Sequence, residues 1–176
     1  MNRQIFFYML MLCVGSVFVA CSDDDNDSAH YIEPGDSQAA AEWVAGNYDG
    51  TMGTVLTSTN FNNLEFPDTA NQKVEIVYDS LDYVTVRYKD WTNGGMNYGD
   101  LVVSPVKVSF AEDEATLVLS GSCVQKLYKE GRGFDAEVAV SGTVDERQCL
   151  LVFTVNMDSP VVTLDFTLTY DGQREE

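Results

Sequence analysis

The chain has 176 residues and a strong acidic excess, with 28 Asp and Glu against 10 Lys and Arg and a net charge of −18 at pH 7. A surface with this charge repels phosphate backbones, so nucleic acid is excluded as an expected partner. The one histidine, His30, lies in a polar N-terminal stretch. The sequence therefore offers no Ser-His-Asp or Cys-His arrangement and no histidine metal site.

The first twenty residues predict a secretory signal peptide. Arg3 precedes a mostly apolar run from Ile5 to Ala20, which is too short and wrongly flanked to span a membrane. The following cysteine, in Val19-Ala20-Cys21, resembles the lipobox of bacterial lipoproteins. This resemblance implies that Cys21 carries the lipid anchor, palmitate included, and attaches the protein to a membrane. An ordinary signal peptide that ends near a cysteine is the alternative.

The acidic stretch "SDDDND" at residues 22–27 partly matches the pattern of a calcium-binding loop. A loop that starts at Asp23 has aspartates at its first, third and fifth positions, but Ser28 and Pro34 stand where an EF-hand needs glycine and glutamate. Residues 21–35 are therefore predicted to be a lipidated acidic linker. The run also resembles the export signal of Bacteroidetes surface lipoproteins, which implies an outer-membrane protein exposed at the cell surface.

Removal of the signal peptide leaves 156 residues, which suffice for one domain. Asp36 or Ser37 as N-cap and good helix formers up to Ala45 predict a short helix over residues 36–45, stopped by Gly46. Residues 46–172 then alternate apolar and polar side chains, and residues 173–176 form a polar tail. The predicted strands are 46–57, 72–79, 83–91, 98–110, 114–128, 133–144, 147–157 and 160–170.

The faces of these strands agree with one another when neighbours are paired through short turns. Val74 meets Tyr88, Val108 meets Leu117, and the other hairpins likewise pair apolar residues on one side of the sheet. Around Pro105 the alternation of inward-facing and outward-facing side chains is interrupted, because the inward positions change phase between Val103 and Val106. This predicts a β-bulge or an edge-like kink. Eight antiparallel strands with one apolar face predict an all-β, up-and-down barrel, with a β-sandwich as the alternative.

Three segments resemble the calycin-like β-barrel domain of Bacteroidetes lipoproteins: "VAGNYDGTMGTV", "GGMNYGDLVVSPVKVSF" and "GTVDERQCLLVFTVNM". The resemblance covers residues 44–172 and consists of glycines and alternating apolar positions. It implies the barrel fold, and its relation to lipocalins implies ligand binding by analogy alone.

Cys123 and Cys149 are the cysteines that remain after processing and lipidation. An extracytoplasmic location favours a disulfide. The predicted register instead puts their Cα atoms about 10 to 12 Å apart, beyond the roughly 7 Å that a disulfide spans. We therefore expect two buried thiols that act as small core residues.

Aromatic residues are predicted to gather at the open end of the barrel. The stretch from Thr57 to Asn71 is interpreted as a long connecting loop, which could line the mouth together with the segment around Trp91. In the alternative, the same aromatics plug the open end while Trp43 covers the opposite one. The candidate ligand-binding residues are Phe61, Phe66, Tyr88, Trp91, Tyr98 and Gln125.

Three short triplets resemble the Asp-Ser/Thr-apolar acceptor for O-glycosylation in Bacteroidetes. The acceptor hydroxyls would be those of Ser28, Thr69 and Ser80, which fall in the predicted linker, loop and turn.

We find no Walker loop, no dinucleotide fingerprint and no HExxH motif, and we expect a protein without enzymatic activity, metal or cofactor. The function expected from the sequence is a lipid-anchored barrel that binds a small apolar or amphipathic ligand at its mouth. The alternative is a filled barrel that docks on another envelope protein. In both cases the side chains at the inward positions are mostly medium-sized or large, so the middle of the barrel is predicted to be packed.

Overall fold

The structure, a computed structural model, describes residues 32–58, 61–129, 132–145, 148–158 and 163–175. It begins with one short helix, α1, over Ser37–Val44. Asp36 is the N-cap, and its carboxylate accepts a hydrogen bond from the backbone N–H of Ala39 at 3.0 Å. The predicted helix is confirmed within one residue at each end.

Eight antiparallel strands follow and close into a barrel in chain order, so the up-and-down barrel is confirmed and the sandwich alternative is wrong. The strands are β1 (Gly46–Ser58), β2 (Phe61–Ser80), β3 (Tyr83–Asn93), β4 (Met96–Phe110), β5 (Leu117–Lys129), β6 (Arg132–Asp145), β7 (Gln148–Asp158) and β8 (Thr163–Arg174). Strand β8 thus takes in the first two residues of the predicted polar tail.

The predicted loop from Thr57 to Asn71 is wrong, because β2 begins at Phe61 and runs for 20 residues. The segment looked like a loop because it is rich in Asn, Asp and Thr, which have low strand propensity or favour turns. In the structure it pairs with β1, where Leu56 lies opposite Leu64 and Thr54 opposite Phe66. The ladder contains three register irregularities, and the pairing with β1 overrides the local propensity.

The predicted register is correct in one hairpin and shifted in others. Val74 pairs with Tyr88 as predicted. Phe153 pairs with Leu168, four residues beyond the predicted partner Leu164. Such even shifts leave each side chain on the predicted face, because the side-chain period of a strand is two. The irregularity predicted near Pro105 is confirmed as a register shift between β3 and β4.

The inward side chains form one continuous core. Of the positions predicted to face inward, most are buried, and Tyr78, Phe110, Cys123, Phe134 and Leu164 are half-buried. The largest fully buried side chains are Trp91, Tyr48, Tyr170, Phe153, Phe166, Ile76, Leu101, Leu117, Leu119, Leu127, Leu151 and Leu168. The barrel wall therefore encloses its own side chains through its middle.

Helix α1 and the end of β8 are joined by Arg174 at one end of the barrel. The Arg174 guanidinium donates hydrogen bonds to the carbonyls of Trp43 at 2.7 Å and Ala45 at 2.6 Å, and its centre lies 5.8 Å from the Trp43 ring centroid. The Tyr48 hydroxyl donates to the Val44 carbonyl at 2.8 Å. Carbonyls at the C-terminus of α1 thus find donors on β1 and β8, which hold the helix against the barrel.

Phe153 lies on β7 with no exposed side-chain surface. Phe153→Ala should lower the free energy of unfolding by about 3 to 5 kcal/mol, because it leaves a cavity in a packed core. Chemical denaturation would measure the loss. Thr154→Ala, an exposed neighbour on the same strand, is the matched control and should change stability little. Equal stability of Phe153→Ala and the parent would show that the middle is hollow.

Candidate functional site

The end of the barrel opposite α1 is formed partly by a hairpin that pairs only with itself. The ladder between β2 and β3 ends at the pair Val74 and Tyr88. The ladder between β4 and β5 covers only the pairs from Val106 with Gly121 to Phe110 with Leu117. Residues 89–100, here called the mouth hairpin, therefore have no ladder partner on β2 or β5 among the described strands.

The mouth hairpin is bent at its base on both strands. Asp90 has a φ of +51° and Gly99 a φ of +90°, in the left-handed region that glycine adopts without strain. The backbone N–H of Asp90 donates to the Asp100 carboxylate at 2.9 Å, and that of Gly99 to the Asn97 side-chain oxygen at 2.7 Å. These two kinks, one beside Trp91 and one beside Tyr98, turn both aromatic side chains into the barrel.

Three rings meet inside the mouth and form what we call the aromatic cluster: Trp91, Tyr98 and Phe166. Trp91 stacks on Tyr98 with ring centroids 4.6 Å apart, and Phe166 lies edge-on to Trp91 at 5.0 Å. Tyr98 and Phe166 are 5.6 Å apart. All three are at most 2% exposed. In this conformation the aromatics plug the mouth, as the alternative interpretation of the sequence expected.

One polar atom in the aromatic cluster is unsatisfied. The indole Nε1 of Trp91 is buried and has no hydrogen-bond partner among the described residues. A buried N–H donor without an acceptor is destabilising by about 1 to 3 kcal/mol. The edge-to-face ring contacts supply at best a weak acceptor. The mouth therefore contains a donor that an incoming molecule could satisfy.

Side-chain hydrogen bonds join the base of the mouth hairpin to the neighbouring strands. On the β2 side, the Tyr88 hydroxyl donates to the Gln72 side-chain oxygen at 2.6 Å. On the β5 side, Gln125 accepts from the backbone N–H of Val102 at 3.0 Å and donates to the Asp100 carbonyl at 3.2 Å. We call these the two latches. Burial raises the pKa of Tyr88, so its hydroxyl stays a donor at neutral pH.

A cleft of about 320 Å³ lies beside the β2 latch. It is lined by Asn47, Asn71, Gln72, Lys73, Val74, Glu75, Arg87, Tyr88, Lys89 and Asp90. The charges in it are largely compensated, because Glu75 lies 3.4 Å from Lys89 and 3.8 Å from Arg87. The cleft marks the place where β2 and β3 separate.

The predicted ligand residues fall into separate groups. Trp91 and Tyr98 lie together in the aromatic cluster, whereas Tyr88 and Gln125 form the latches. Phe66 is half-buried beside the hairpin turn, with a ring carbon 3.6 Å from where a Cβ on Gly94 would lie. The side chain of Phe61 lies outside the described residues.

Two participants were missed by the sequence interpretation. Phe166 was predicted to face inward but not to reach the mouth, because the four-residue register shift of β8 was not foreseen. Gln72, the acceptor in the β2 latch, gave no signal beyond its place as the first residue of the predicted strand 72–79. Gln125, a candidate ligand-binding residue, bonds to the backbone of β4.

The remaining sequence candidates are placed as follows. Thr69 and Ser80, two candidate O-glycosylation sites, are exposed, although Thr69 lies in strand β2 and not in a loop. Ser28 and Cys21 lie outside the described residues.

Within the described ranges, no cluster of three or more His, Cys, Asp or Glu could hold a metal ion. No helix in that part of the chain is long and apolar enough to cross a membrane.

The two cysteines of the barrel are free thiols, so the expectation of no disulfide is confirmed. Cys149 is buried, but Cys123 is only half-buried, which corrects the prediction of two buried thiols. The Cys123 thiol points to the β5 edge of the mouth hairpin and donates to the Val102 carbonyl at 3.3 Å. Cys123 is more exposed than predicted because β4 and β5 separate there.

Comparisons with known proteins agree with this architecture. Residues 44–173 match the sequence profile of the calycin-like beta-barrel domain. Among solved structures, a candidate outer membrane protein from Bacteroides fragilis is similar, with 24% identity and a TM-score of 0.57. That similarity covers 76% of this chain and 52% of the other, so the chain spans about half the length of that protein.

A second solved structure, of Ail, the attachment invasion locus protein of Yersinia pestis, matches at 11% identity with a TM-score of 0.39. The match covers 75% of this chain and 100% of that one. No curated protein matches the sequence.

The different environments of the two thiols predict different reactivity. Burial, and then the negative charge of Asp171, raise the pKa of Cys149 to about 12. At pH 9 only about one Cys149 thiol in a thousand is then ionised, and the thiolate is the nucleophile. Iodoacetamide should therefore label Cys123 well before Cys149 in the folded protein, as peptide mass spectrometry would show. Unfolding in guanidinium should make both react, and equal labelling in the folded protein would contradict the structure.

Proposed function

The chain belongs to the calycin-like β-barrel domain family, and from this membership and the geometry of the mouth we propose that it binds a small apolar or amphipathic molecule. The site is the aromatic cluster beneath the mouth hairpin. In this proposal the protein is not an enzyme and acts as a lipid-anchored binding protein of the cell envelope.

The single observation that carries the proposal is the buried, unpartnered N–H of Trp91 within the aromatic cluster. Binding sites for small molecules are mostly apolar and contain a few polar groups that orient the ligand. The mouth has this composition, with three aromatic rings and the unpartnered N–H of Trp91. A purely structural plug would need no such donor, since an unsatisfied buried N–H is destabilising.

The location in the envelope is supported by the N-terminal sequence. An apolar run that ends at Cys21, followed at once by four aspartates within residues 23–27, fits a lipid-anchored protein exposed at the surface of the outer membrane. The negative charge of the chain also fits attachment through lipid, because anionic headgroups would repel the protein itself. Non-enzymatic function is supported by the absence of a catalytic motif in the sequence.

A second candidate function is a filled barrel that docks on another envelope protein. It is favoured by the outer face of β5, where Val124 is 74% and Tyr128 56% exposed. Exposed apolar and aromatic side chains of this kind are enriched at protein interfaces. This candidate requires no ligand at the mouth.

A fluorescent probe tests the proposed binding site. The chain has two tryptophans, so Trp43→Phe leaves Trp91 as the only one. Titration of this variant with prodan, an uncharged naphthalene ketone, should quench Trp91 emission in a saturable way and shift prodan emission to the blue. Trp91→Phe, which keeps Trp43, is the control and should show no comparable tryptophan quenching. Linear, unsaturable quenching in Trp43→Phe would favour the docking function instead.

The anchor is tested by Cys21→Ala. This variant should move from the membrane fraction to the soluble fraction, because its acyl chains are lost, each methylene of which contributes about 0.8 kcal/mol to membrane binding. Cys123→Ala is the matched control and should stay with the membrane. Protease digestion of intact cells would check that the parent is exposed at the surface. Continued membrane association of Cys21→Ala would rule out the proposed lipid attachment.

A further inference from the structure

We propose that the cleft between β2 and β3 binds a small neutral molecule with several hydroxyl groups, of the size and chemistry of a single sugar ring. This site is separate from the aromatic cluster, and the inference does not depend on the proposed function. Three observations carry it: the split of the ladder that forms the cleft, a buried carboxylate oxygen without a hydrogen bond, and the balance of charges around that oxygen.

The cleft forms where the backbone bends on both sides of the split. The last ladder pair between the two strands is Val74 with Tyr88. Just beyond it, Asn71 has a φ of +57° and Asp90 a φ of +51°, and both residues line the cleft. Residues other than glycine adopt this conformation at an energetic cost, and they concentrate at functional sites. The volume of about 320 Å³ is at the lower end of the range for small-molecule sites.

The outer face of the sheet brings an amide, a carboxylate and a guanidinium side by side at this cleft. Asn47 pairs with Glu75 across β1 and β2, and Glu75 pairs with Arg87 across β2 and β3. Directly paired residues lie on the same face, with Cβ atoms roughly 4.5 to 5.5 Å apart. Lys89 lies two residues beyond Arg87 and therefore projects on that face as well. A small molecule in the cleft can reach these donors and the carboxylate together.

The carboxylate in this row has an open hydrogen-bonding position. Oε2 of Glu75 is buried and has no hydrogen-bond partner among the described residues. Lys89 Nζ lies 3.4 Å and Arg87 Nη1 3.8 Å from this oxygen, which is longer than the roughly 2.7 to 2.9 Å of a charge-assisted hydrogen bond. Both cations are on exposed side chains that can rotate aside. A ligand hydroxyl that donates to Oε2 would satisfy a buried acceptor that is otherwise destabilising.

The charges around Oε2 favour a neutral donor. An ammonium group at this position would meet Lys89 and Arg87, which already contact the same oxygen. An anion would meet the carboxylates of Glu75 and Asp90, which both line the cleft, and a net charge of −18. A hydroxyl group carries no charge and both donates and accepts hydrogen bonds.

The rest of the lining fits several neighbouring hydroxyls. The side-chain amides of Asn47 and Asn71 are exposed and have no hydrogen-bond partner within the described ranges. Each amide offers two N–H donors and one carbonyl acceptor. A molecule with hydroxyls on adjacent carbons can donate to Glu75 while other hydroxyls bond to these amides, whereas a single hydroxyl cannot reach them all. The cleft therefore predicts a sugar ring and not a simple alcohol.

The chemical class is tested with three hexoses, D-glucose, D-galactose and D-mannose. Saturation-transfer difference NMR on the full chain should show saturable binding of at least one of them, in the millimolar range. The amino sugar and the uronic acid of that hexose, a cation and an anion at slightly acidic pH, should bind about fivefold more weakly or worse, the effect of one lost hydrogen bond or one like-charge contact. No saturable binding of any of the three hexoses would overturn the inference, as would tighter binding of either charged derivative.

Two variants test whether the hexose lies in the cleft. Glu75→Gln removes the charged acceptor, and Asn71→Asp removes an amide donor but keeps a residue that tolerates positive φ. Each should weaken binding about fivefold or more. The matched control is Asp135→Asn, which removes one carboxylate from the exposed ion pair with Lys126, also at 3.4 Å, and changes the net charge as Glu75→Gln does. Asp135→Asn should bind the hexose as the parent does.

The outcomes separate this site from the mouth. Equal weakening in Asp135→Asn and Glu75→Gln would show an effect of net charge and overturn the cleft as the site. Unchanged affinity in both cleft variants would place the sugar elsewhere on the protein and overturn it as well. Prodan titration of Glu75→Gln should match that of the parent, and loss of prodan binding from Glu75→Gln would contradict two separate sites.

Discussion

Closure of the eight-stranded sheet is the constraint on which the rest of the structure depends. Once β1 pairs with β8, every strand has one side turned into a lumen that is wide enough only for side chains. Alternate residues must therefore be apolar and large enough to fill it, and the sequence meets this demand along all eight strands. Phe153 and Leu168, which face each other on β7 and β8, show the result, since neither has exposed surface.

The two ends of the barrel are covered by different elements. At one end, helix α1 packs its buried face on the strands, and Arg174 supplies donors for the carbonyls at its C-terminus. At the other end the cover is the mouth hairpin, part of the sheet itself. It bends inward at Asp90 and Gly99 and loses its ladders with β2 and β5. The first cover is tied by charge-assisted hydrogen bonds, whereas the second depends on aromatic contacts and two latches.

The loss of the ladders explains the unusual polar residues near the mouth. Gln125 occupies an inward position that would otherwise demand an apolar side chain, but the neighbouring backbone of β4 has no partner on β5. Its amide supplies both an acceptor for Val102 and a donor for Asp100. Between β3 and β2 the bond joins two side chains, because the Tyr88 hydroxyl donates to the Gln72 side-chain oxygen. The indole N–H of Trp91 has no hydrogen-bond partner among the described residues, so an unsatisfied donor lies at the mouth.

By itself the sequence determined the helix, the eight strands, the faces of those strands and the packed interior. Alternation with a period of two is a local property of the sequence, and a register shift by an even number of residues leaves each side chain on the same face. The sequence also indicated Trp91, Tyr98, Tyr88 and Gln125 as residues of interest. Only the three-dimensional structure decided that residues 61–71 belong to β2, since their pairing with the preceding strand β1 outweighs their polar composition. The three-dimensional structure also decided that Phe166 contacts Trp91, and it decided where the ladders end. Both depend on strand register and on closure of the barrel, which residues far apart in the chain determine together.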